Sequence, residues 1–203
     1  MELGNQTNYD IYYGNIYINW FHTLENTCKQ KSYNDIINMI AEGVYIDARD
    51  NSGNTGLFIA CQYNDIYLAE ILLRNNIDIN IKNSDNETAL HYAIYENNND
   101  MVSLLIKYNA DINCKNNFGL TPLMICCKEN LDYCMIMSLI NSGVNLDLQD
   151  NDGNTALHYA SINNRYDVIG LLLLNGADKY INNNNNKRAY QLTNTIYLFN
   201  LLQ

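Results

Sequence analysis

Basic residues are scarce in this 203-residue chain, whose 12 lysines and arginines are outnumbered by 22 aspartates and glutamates, so that the formal net charge is −10. A protein that grips nucleic-acid phosphates needs a basic stripe, so this composition argues against a nucleic-acid partner. It allows a basic protein partner, whose association would weaken as salt is added. The alternative, left open here, is that the acidic residues serve only to keep the chain in solution.

Long apolar runs are also missing. No segment approaches the roughly 20 apolar residues that a transmembrane helix requires. The first ten residues are polar and lack both the positive start and the apolar stretch of a signal peptide. We therefore expect an intracellular, cytoplasmic protein that neither crosses nor binds a membrane.

Motifs for catalysis and metal binding are absent as well. No Gly-rich phosphate loop, G-x-S-x-G or H-E-x-x-H sequence occurs, and the chain has only three histidines. The six cysteines include no C-x-x-C pair, and the adjacent Cys126 and Cys127 cannot both reach one metal ion from a helix. We predict small buried thiols in a reducing compartment, with no metal, no cofactor and no catalytic residue.

What the chain does contain is a recurring four-residue phrase. It reads TGLF, TALH, TPLM and TALH, starting at Thr55, Thr88, Thr121 and Thr155, so that the spacing is about 33 or 34 residues. A period in this range indicates a stacked-repeat protein. Each unit is too small to bury its own apolar face, so a core forms only where neighbouring units stack.

Each unit combines a turn with two helices. In the first full unit, residues 50–54 are turn formers, and Gly53 can adopt the positive φ of a tight hairpin. Thr55 stands where a short first helix begins. A second helix is predicted from about Ile66 to Arg74, closed by the asparagines at 75–76. The third unit has one extra residue, which we expect in the inter-helix turn or the second helix, around residues 131–137.

The pattern resembles the ankyrin repeat, D-x-x-G-x-T-P-L-H-x-A followed by x-L-L-x-x-G-A-D-x-N. The segments GNTALHYA at 153–160 and LLLLNGAD at 171–178 match it closely. The resemblance implies an all-α ankyrin-repeat solenoid of helix-turn-helix units with β-hairpin loops and degenerate N- and C-terminal cap repeats. The predicted divisions are a Tyr-rich N-terminal segment (1–16), an N-terminal cap (17–49), repeats at 50–82, 83–115, 116–149 and 150–182, and a C-terminal cap (183–203).

Departures from the repeat pattern are local. His91 and His158 keep the histidine of the pattern, and the resemblance implies that it ties neighbouring loops together, which is a structural task rather than a catalytic one. Phe58 and Met124 replace it in the first and third units. We therefore expect those two units to be held less tightly than the second and fourth.

The resemblance also implies a non-enzymatic protein-binding module that uses its hairpin tips and the concave face of its first helices. Phe118 and Leu120 stand out because hairpin tips are normally polar, and an apolar centre inside a charged rim is typical of binding hot spots. The alternative is that Phe118 folds down against its neighbours. The predicted partner-binding residues are Tyr63, Asp85, Glu87, Tyr95, Glu96, Phe118, Leu120, Lys128, Glu129 and Asp152.

Three asparagines suggest a second possibility. Asn80, Asn113 and Asn182 each follow a leucine by eight residues, Leu174 in the last case. They are similar to the ankyrin asparagines that an oxygen-dependent hydroxylase modifies in animal cells. The alternative is that each side chain only braces its loop by a hydrogen bond.

The abundance of asparagine, tyrosine and isoleucine is typical of AT-rich genomes, which many large DNA viruses and host-associated microbes have. Short ankyrin proteins from such sources capture host proteins, so we expect an adaptor or inhibitor that acts in the host cytoplasm, with entry into the nucleus open. We expect a monomer. The alternative is a self-assembling scaffold that forms homo-oligomers through the Tyr-rich segment or a cap.

Overall fold

The computed structural model describes the backbone of residues 8–193 and the side chains of residues 19–193. Within that range ten α-helices follow one another in pairs, and a single 3-10 helix, Ala189–Leu192, comes after them. The α-helices are α1 (Asn8–Gln30), α2 (Asn34–Ala41), α3 (Gly56–Gln62), α4 (Ile66–Arg74), α5 (Ala89–Tyr95), α6 (Asn99–Lys107), α7 (Pro122–Lys128), α8 (Tyr133–Asn141), α9 (Ala156–Ile162) and α10 (Tyr166–Leu174).

The four pairs from α3/α4 to α9/α10 repeat one design. The first helix of each pair has seven residues and the second has nine. The recurring threonine precedes each first helix in an extended conformation, at the N-cap. The second helix of the first unit has the predicted bounds, and Asn76 follows it with a φ of 63°. The all-α solenoid predicted from the repeat is confirmed.

The extra residue of the third unit lies in the turn between α7 and α8. That turn spans residues 129–132, whereas the corresponding turns are one residue shorter, at 63–65, 96–98 and 163–165. Helix α8 keeps the common length of nine residues. An insertion inside the helix would rotate its apolar stripe by about 100°, so the turn absorbs the residue without disturbing the packing.

The loops between units are tight hairpin turns. In the first, the Asp50 N–H donates to the Asn54 carbonyl at 2.9 Å and the Gly53 N–H donates to the Asp50 carbonyl at 2.9 Å. The hairpins do not continue into ladders: residues 8–193 contain no extended strand, and one isolated antiparallel bridge joins Asn182 to Arg188.

The core runs without a break from the first helix to the last cap. The equivalent leucines of the four first helices are each 1% exposed, and they pack where neighbouring units meet. They are Leu57, Leu90, Leu123 and Leu157.

The N-terminal helix is unlike the others. At 23 residues, α1 is more than three times as long as the first helices of the full units, and it crosses the predicted boundary between residues 16 and 17 without interruption. Its C-terminal half sends Trp20, Leu24 and Cys28 into the core. The tyrosine side chains of the predicted 1–16 segment lie outside the described residues, as do residues 194–203 of the predicted C-terminal cap.

The burial predicted for the cysteines is confirmed for all but one of the six. Cys134 is exposed, which corrects the prediction: it is the second residue of α8 and falls outside the buried stripe of that helix. Burial raises the pKa of Cys28 and of Cys127 to about 12, so these thiols stay protonated and unreactive. The described residues contain no cluster of metal-binding side chains.

Candidate functional site

The hairpin tips are joined to one another in a regular column. The Ser84 N–H donates to the Ser52 carbonyl at 2.9 Å, and the Asn117 N–H donates to the Asp85 carbonyl at 3.0 Å. The next tips repeat the bond, from Asn151 to Phe118 at 3.2 Å. The column therefore places equivalent residues of successive tips side by side; in order they are Ser52, Asp85, Phe118 and Asp152.

Gly119 allows this close approach. It has a φ of +75°, and a Cβ atom there would lie 2.7 Å from the backbone nitrogen of Asn151. Any other residue would thus push the two tips apart or strain the turn. The position of Phe118 against the next tip depends on this glycine.

Phe118 is 72% exposed, so the alternative that it folds down against its neighbours is wrong. The turn that carries Phe118 is braced from below by the buried Asn116. The Asn116 Oδ1 atom accepts hydrogen bonds from the N–H groups of Phe118 and Leu120, both at 3.0 Å. A large apolar ring is therefore held in solvent on a rigid turn.

Leu120 does not share this exposure. It is 5% exposed and belongs to the core, which corrects the expectation that it forms part of the surface centre. The left-handed Gly119 lies between the two residues. Beyond it the backbone returns toward α7, so the Leu120 side chain packs inward while Phe118 stays out.

Tyr95 lies on the same surface and is 42% exposed. Its hydroxyl donates to Glu87 Oε1 at 2.9 Å and accepts from Asn116 Nδ2 at 3.4 Å. Burial and the hydrogen bond to Glu87 raise the pKa of Tyr95, so the hydroxyl stays protonated. Asn116 therefore connects the tyrosine of the second unit to the loop that carries Phe118.

A shallow pocket of ≈190 Å³ lies beside Phe118. It brings together four of the predicted binding residues: Phe118, Lys128 and Asp152, with the buried Leu120 beneath them. On its floor the Tyr159 hydroxyl donates to Asp150 Oδ2 at 2.5 Å. The complete lining is Phe118, Leu120, Lys128, Asp150, Asn151, Asp152 and Tyr159.

The remaining predicted residues lie elsewhere. Tyr63 is half-buried against the core, and Lys29 Nζ lies 5.8 Å from its ring centroid, toward the N-terminal cap. Glu96 and Glu129 are exposed at the C-caps of α5 and α7. Of the four aromatic or apolar residues in the predicted binding set, Tyr63, Tyr95, Phe118 and Leu120, only Tyr95 and Phe118 therefore form an exposed centre.

Some site residues were missed from the sequence, although their signal is present there. Tyr159 occupies the same position of its first helix as Tyr92, so an aromatic residue recurs on this face. Each hairpin also starts with aspartate or asparagine, whose side-chain oxygen accepts two backbone N–H groups of its own turn. In the third unit that residue is Asn116.

The two histidines that match the repeat pattern, His91 and His158, have a structural role. His91 is buried; its Nδ1 atom accepts from the Thr88 N–H at 3.1 Å and its Nε2 atom lies 3.4 Å from the Leu120 carbonyl. Burial lowers the pKa of His91 to about 4, which keeps the ring neutral. His158 makes the same bonds, with Lys187 providing the carbonyl at 3.1 Å. Neither ring is placed for catalysis.

The loop-bracing alternative describes Asn80 and Asn113. The Oδ1 atom of each accepts a backbone N–H of the next unit at 2.8 Å, from Asp111 and Asn145 respectively. Hydroxylation of these two side chains stays a prediction.

Asn182 does not belong to that series. Leu72 and Leu105, which precede Asn80 and Asn113, are buried, whereas Leu174 is 89% exposed. In the fourth unit, the position equivalent to Asn80 is occupied by Tyr180. The leucine from which Asn182 was counted lies two residues beyond the buried Leu172, so Asn182 is out of register with Asn80 and Asn113, and its hydroxylation also stays a prediction.

The paired helices, hairpin column and exposed tip define a class of protein, the helical-repeat solenoid built to present a binding surface. A family model described as "Ankyrin repeats (3 copies)" matches residues 24–116 and 99–183. The chain therefore belongs to the ankyrin repeat family, whose members generally mediate protein–protein interactions. No helix among residues 8–193 is both long and apolar enough to cross a membrane.

The curated relatives include viral proteins. Ankyrin repeat protein OPG189 of monkeypox virus is 37% identical over 60 residues, 30% of this chain and 11% of that protein. Putative ankyrin repeat protein L92 of Acanthamoeba polyphaga mimivirus is 33% identical over 72 residues, 36% of this chain and 17% of that protein. The chain thus spans only about a tenth of the length of the poxvirus relative.

Cellular proteins with the same repeats also match. Neurogenic locus notch homolog protein 1 of Xenopus laevis is 30% identical over 155 residues, 75% of this chain and 6% of that protein. Among solved structures, the ankyrin repeat domain of Bcl-3, a member of the IkappaB protein family, superposes with a TM-score of 0.82 at 25% identity. That similarity covers 88% of this chain and 80% of the Bcl-3 chain.

Proposed function

We propose that this chain is a non-enzymatic module that captures a partner protein on its hairpin tips and the adjoining concave face. The observation that carries the proposal is the exposure of Phe118, 72%, at a tip next to Tyr95. Burying a phenylalanine side chain is worth about 1.5–3 kcal/mol, so a partner that covers the exposed ring gains free energy of this order. Scattered exposed leucines need no such explanation, but an aromatic ring fixed on a rigid tip does.

The rigidity of the tip supports the same proposal. Asn116 holds both the Phe118 backbone and the Tyr95 hydroxyl, and the hairpin is bonded to its neighbours on either side. A surface that is already ordered loses little conformational entropy when it binds. Charged side chains surround the ring, as they do at the rim of binding hot spots.

We further propose a host-interaction role, as an adaptor or inhibitor in the cytoplasm or nucleus of a host cell. The similarity to ankyrin proteins of monkeypox virus and mimivirus supports this role. The acidic composition suits a soluble protein that acts on another protein.

An affinity capture from animal-cell lysate tests the proposal. The bait is the full chain, compared with a Phe118→Ala, Tyr95→Ala double variant. The control is Tyr133→Ala with Leu174→Ala, which removes a similar exposed apolar area, 39% and 89% exposed, from the second helices. A protein retained by the wild type and the control but lost with the double variant supports capture at the tips; equal retention by all three contradicts it.

A further inference from the structure

The column of hairpin tips places an acidic residue on each side of Phe118. The backbone bonds from Asn117 to the Asp85 carbonyl and from Asn151 to the Phe118 carbonyl fix the register of three successive tips. At the equivalent position these tips carry Asp85, Phe118 and Asp152. The exposed ring therefore has a carboxylate-bearing residue beside it in each direction along the solenoid.

Both carboxylates are free to act on a partner. Asp85 and Asp152 are exposed, and neither takes part in an ion pair with a basic group among residues 19–193. Their turns are already closed by other groups: the Asp85 N–H donates to Asn83 Oδ1 and the Asp152 N–H donates to Asp150 Oδ1. The two side chains are thus not needed to form the hairpins.

The charged groups near Asp85 and Asp152 do not cancel the negative charge of these two carboxylates. Lys128 is exposed on the pocket wall and brings one positive charge. Glu87 adds a further carboxylate, held by the Tyr95 hydroxyl at 2.9 Å. Asp150, below, is occupied by its bond from Tyr159 and by two backbone N–H groups. The surface around the ring therefore remains net negative.

We propose that Phe118, Asp85 and Asp152 form a receptor for an arginine side chain on a basic segment of the partner protein. An aromatic face attracts a cation, and the planar guanidinium both stacks on a ring and donates paired hydrogen bonds to a carboxylate. A lysine ammonium satisfies the charge but neither stacks nor binds in a fork. This assignment rests on the proposed function, since it names the chemistry of the segment captured at the same tips.

A selection of random 12-residue peptides displayed on phage tests the assignment, with the full chain as target and the Phe118→Ala variant for counter-selection. We expect the enriched peptides to share an arginine. Replacing that arginine by alanine should weaken binding of the synthetic peptide by about tenfold or more, and replacing it by lysine by less. Phe118→Leu, which keeps an apolar side chain but removes the ring, should also weaken binding.

Charge variants of the protein distinguish a local binding site from an effect of the overall negative charge. Asp85→Asn and Asp152→Asn should each weaken the same peptide roughly threefold to tenfold at physiological salt. Glu42→Gln is the matched control, since it removes one exposed carboxylate beyond α2, away from the tips. Equal effects of all three variants would overturn the receptor, because only the overall charge would then matter.

The outcomes also separate this inference from the function on which it rests. Peptides that depend on Phe118 but carry no basic residue overturn the arginine receptor and leave capture at the tips intact. If no enriched peptide depends on Phe118, both fail. Thermal unfolding of each variant accompanies the binding assay, and unchanged midpoints show that lost binding reflects the surface.

Discussion

The hairpins of this solenoid fall into two groups that differ in how each is tied to the unit before it. Hairpin 116–120 is held by a buried histidine, with His91 Nε2 at 3.4 Å from the Leu120 carbonyl. Hairpin 183–187 is held likewise by His158, 3.1 Å from the Lys187 carbonyl. Both rings are neutral and buried, so each bond is shielded from water.

Hairpins 83–87 and 150–154 lack such a donor because Phe58 and Met124 occupy the histidine position. Phe58 instead packs edge-on against Tyr92, with ring centroids 5.0 Å apart, and the Met124 sulfur lies 3.5 Å from the Thr121 nitrogen. At this one position of the first helix, the scaffold therefore carries a directional tie to the next hairpin in one group and none in the other, while the backbone bonds between tips are common to both.

The difference matters because Phe118 lies on a tied hairpin, whereas its acidic neighbours Asp85 and Asp152 lie on hairpins of the other group. The structure thus combines an aromatic anchor on a hairpin held by histidine with carboxylates on hairpins that lack this bond. Such an arrangement suits a site in which the ring sets the position of a partner and the acids adjust to it.

Removing the histidine tie should have the largest effect. His91→Leu leaves the Thr88 N–H and the Leu120 carbonyl without their side-chain partner in a buried site, so we expect the free energy of unfolding to fall by about 2–5 kcal/mol. Met124→Leu, at the equivalent position of the third unit, conserves apolar volume and should cost less than about 1.5 kcal/mol. Urea denaturation measures both; equal losses would show that the histidine contributes nothing beyond packing.

Acid should selectively weaken the two hairpins that are held by histidine. Burial lowers the pKa of His91 to about 4 from an ordinary 6.5, so between these pH values the unfolded chain binds more protons than the folded one. The stability that comes from the neutral ring is therefore complete above about pH 6.5 and is lost as pH falls toward 4. At about 1.4 kcal/mol per pKa unit, the loss reaches roughly 3 kcal/mol.

His158 adds to this loss in the same direction, since burial lowers its pKa as well. The measurement is urea denaturation at steps between pH 7.5 and 4.5. Met124→Leu should keep the pH slope of the wild type, while His91→Leu should flatten it. A slope that is identical in all three proteins would assign the acid sensitivity to carboxylates instead.

The repeat could be predicted from sequence because its signals are local and occur four times in phase. Thr55, the second helix at 66–74 and the cap at Asn76 each follow from their own neighbours, and the solenoid follows from the period. His91 and His158 were interpreted correctly for the same reason, since their partners lie at fixed positions of the repeat.

Whether an individual apolar side chain is buried or exposed was harder to predict. Phe118 and Leu120 are equally apolar and two residues apart, yet one is exposed and the other buried, because Gly119 adopts positive φ and Asn116 fixes the turn from below. Asn182 differs from Asn80 and Asn113 for a related reason, since the leucine eight residues before it is exposed rather than buried. In both cases the deciding fact was the direction of a side chain, which the sequence does not record.

Truncating the anchor should affect binding and not folding. Phe118→Ala should leave the free energy of unfolding within about 0.5 kcal/mol of the wild type, because an exposed ring contributes little to the folded state. It should weaken binding to a captured partner by about 1–3 kcal/mol. Calorimetric titration measures the binding loss. Leu120→Ala gives the contrasting result, destabilising the fold by about 2–5 kcal/mol; a strong stability loss from Phe118→Ala would contradict the exposed anchor.

The smallest predicted effect is a difference in amide hydrogen exchange between the two groups of hairpins. One buried hydrogen bond contributes about 0.5–1.5 kcal/mol, so backbone amides that are protected in hairpin 116–120 should exchange with deuterium roughly threefold to tenfold more slowly than those in hairpin 150–154. Both hairpins lie inside the solenoid between full units, so differences in end fraying do not enter. In His91→Leu the difference should vanish, because hairpin 116–120 then keeps its backbone bonds to the neighbouring tips but loses the histidine bond, which hairpin 150–154 also lacks. If hairpin 150–154 exchanges as slowly as 116–120 in the wild type, the bond from Tyr159 to Asp150 replaces the missing histidine, and the two groups are equally well held by different means.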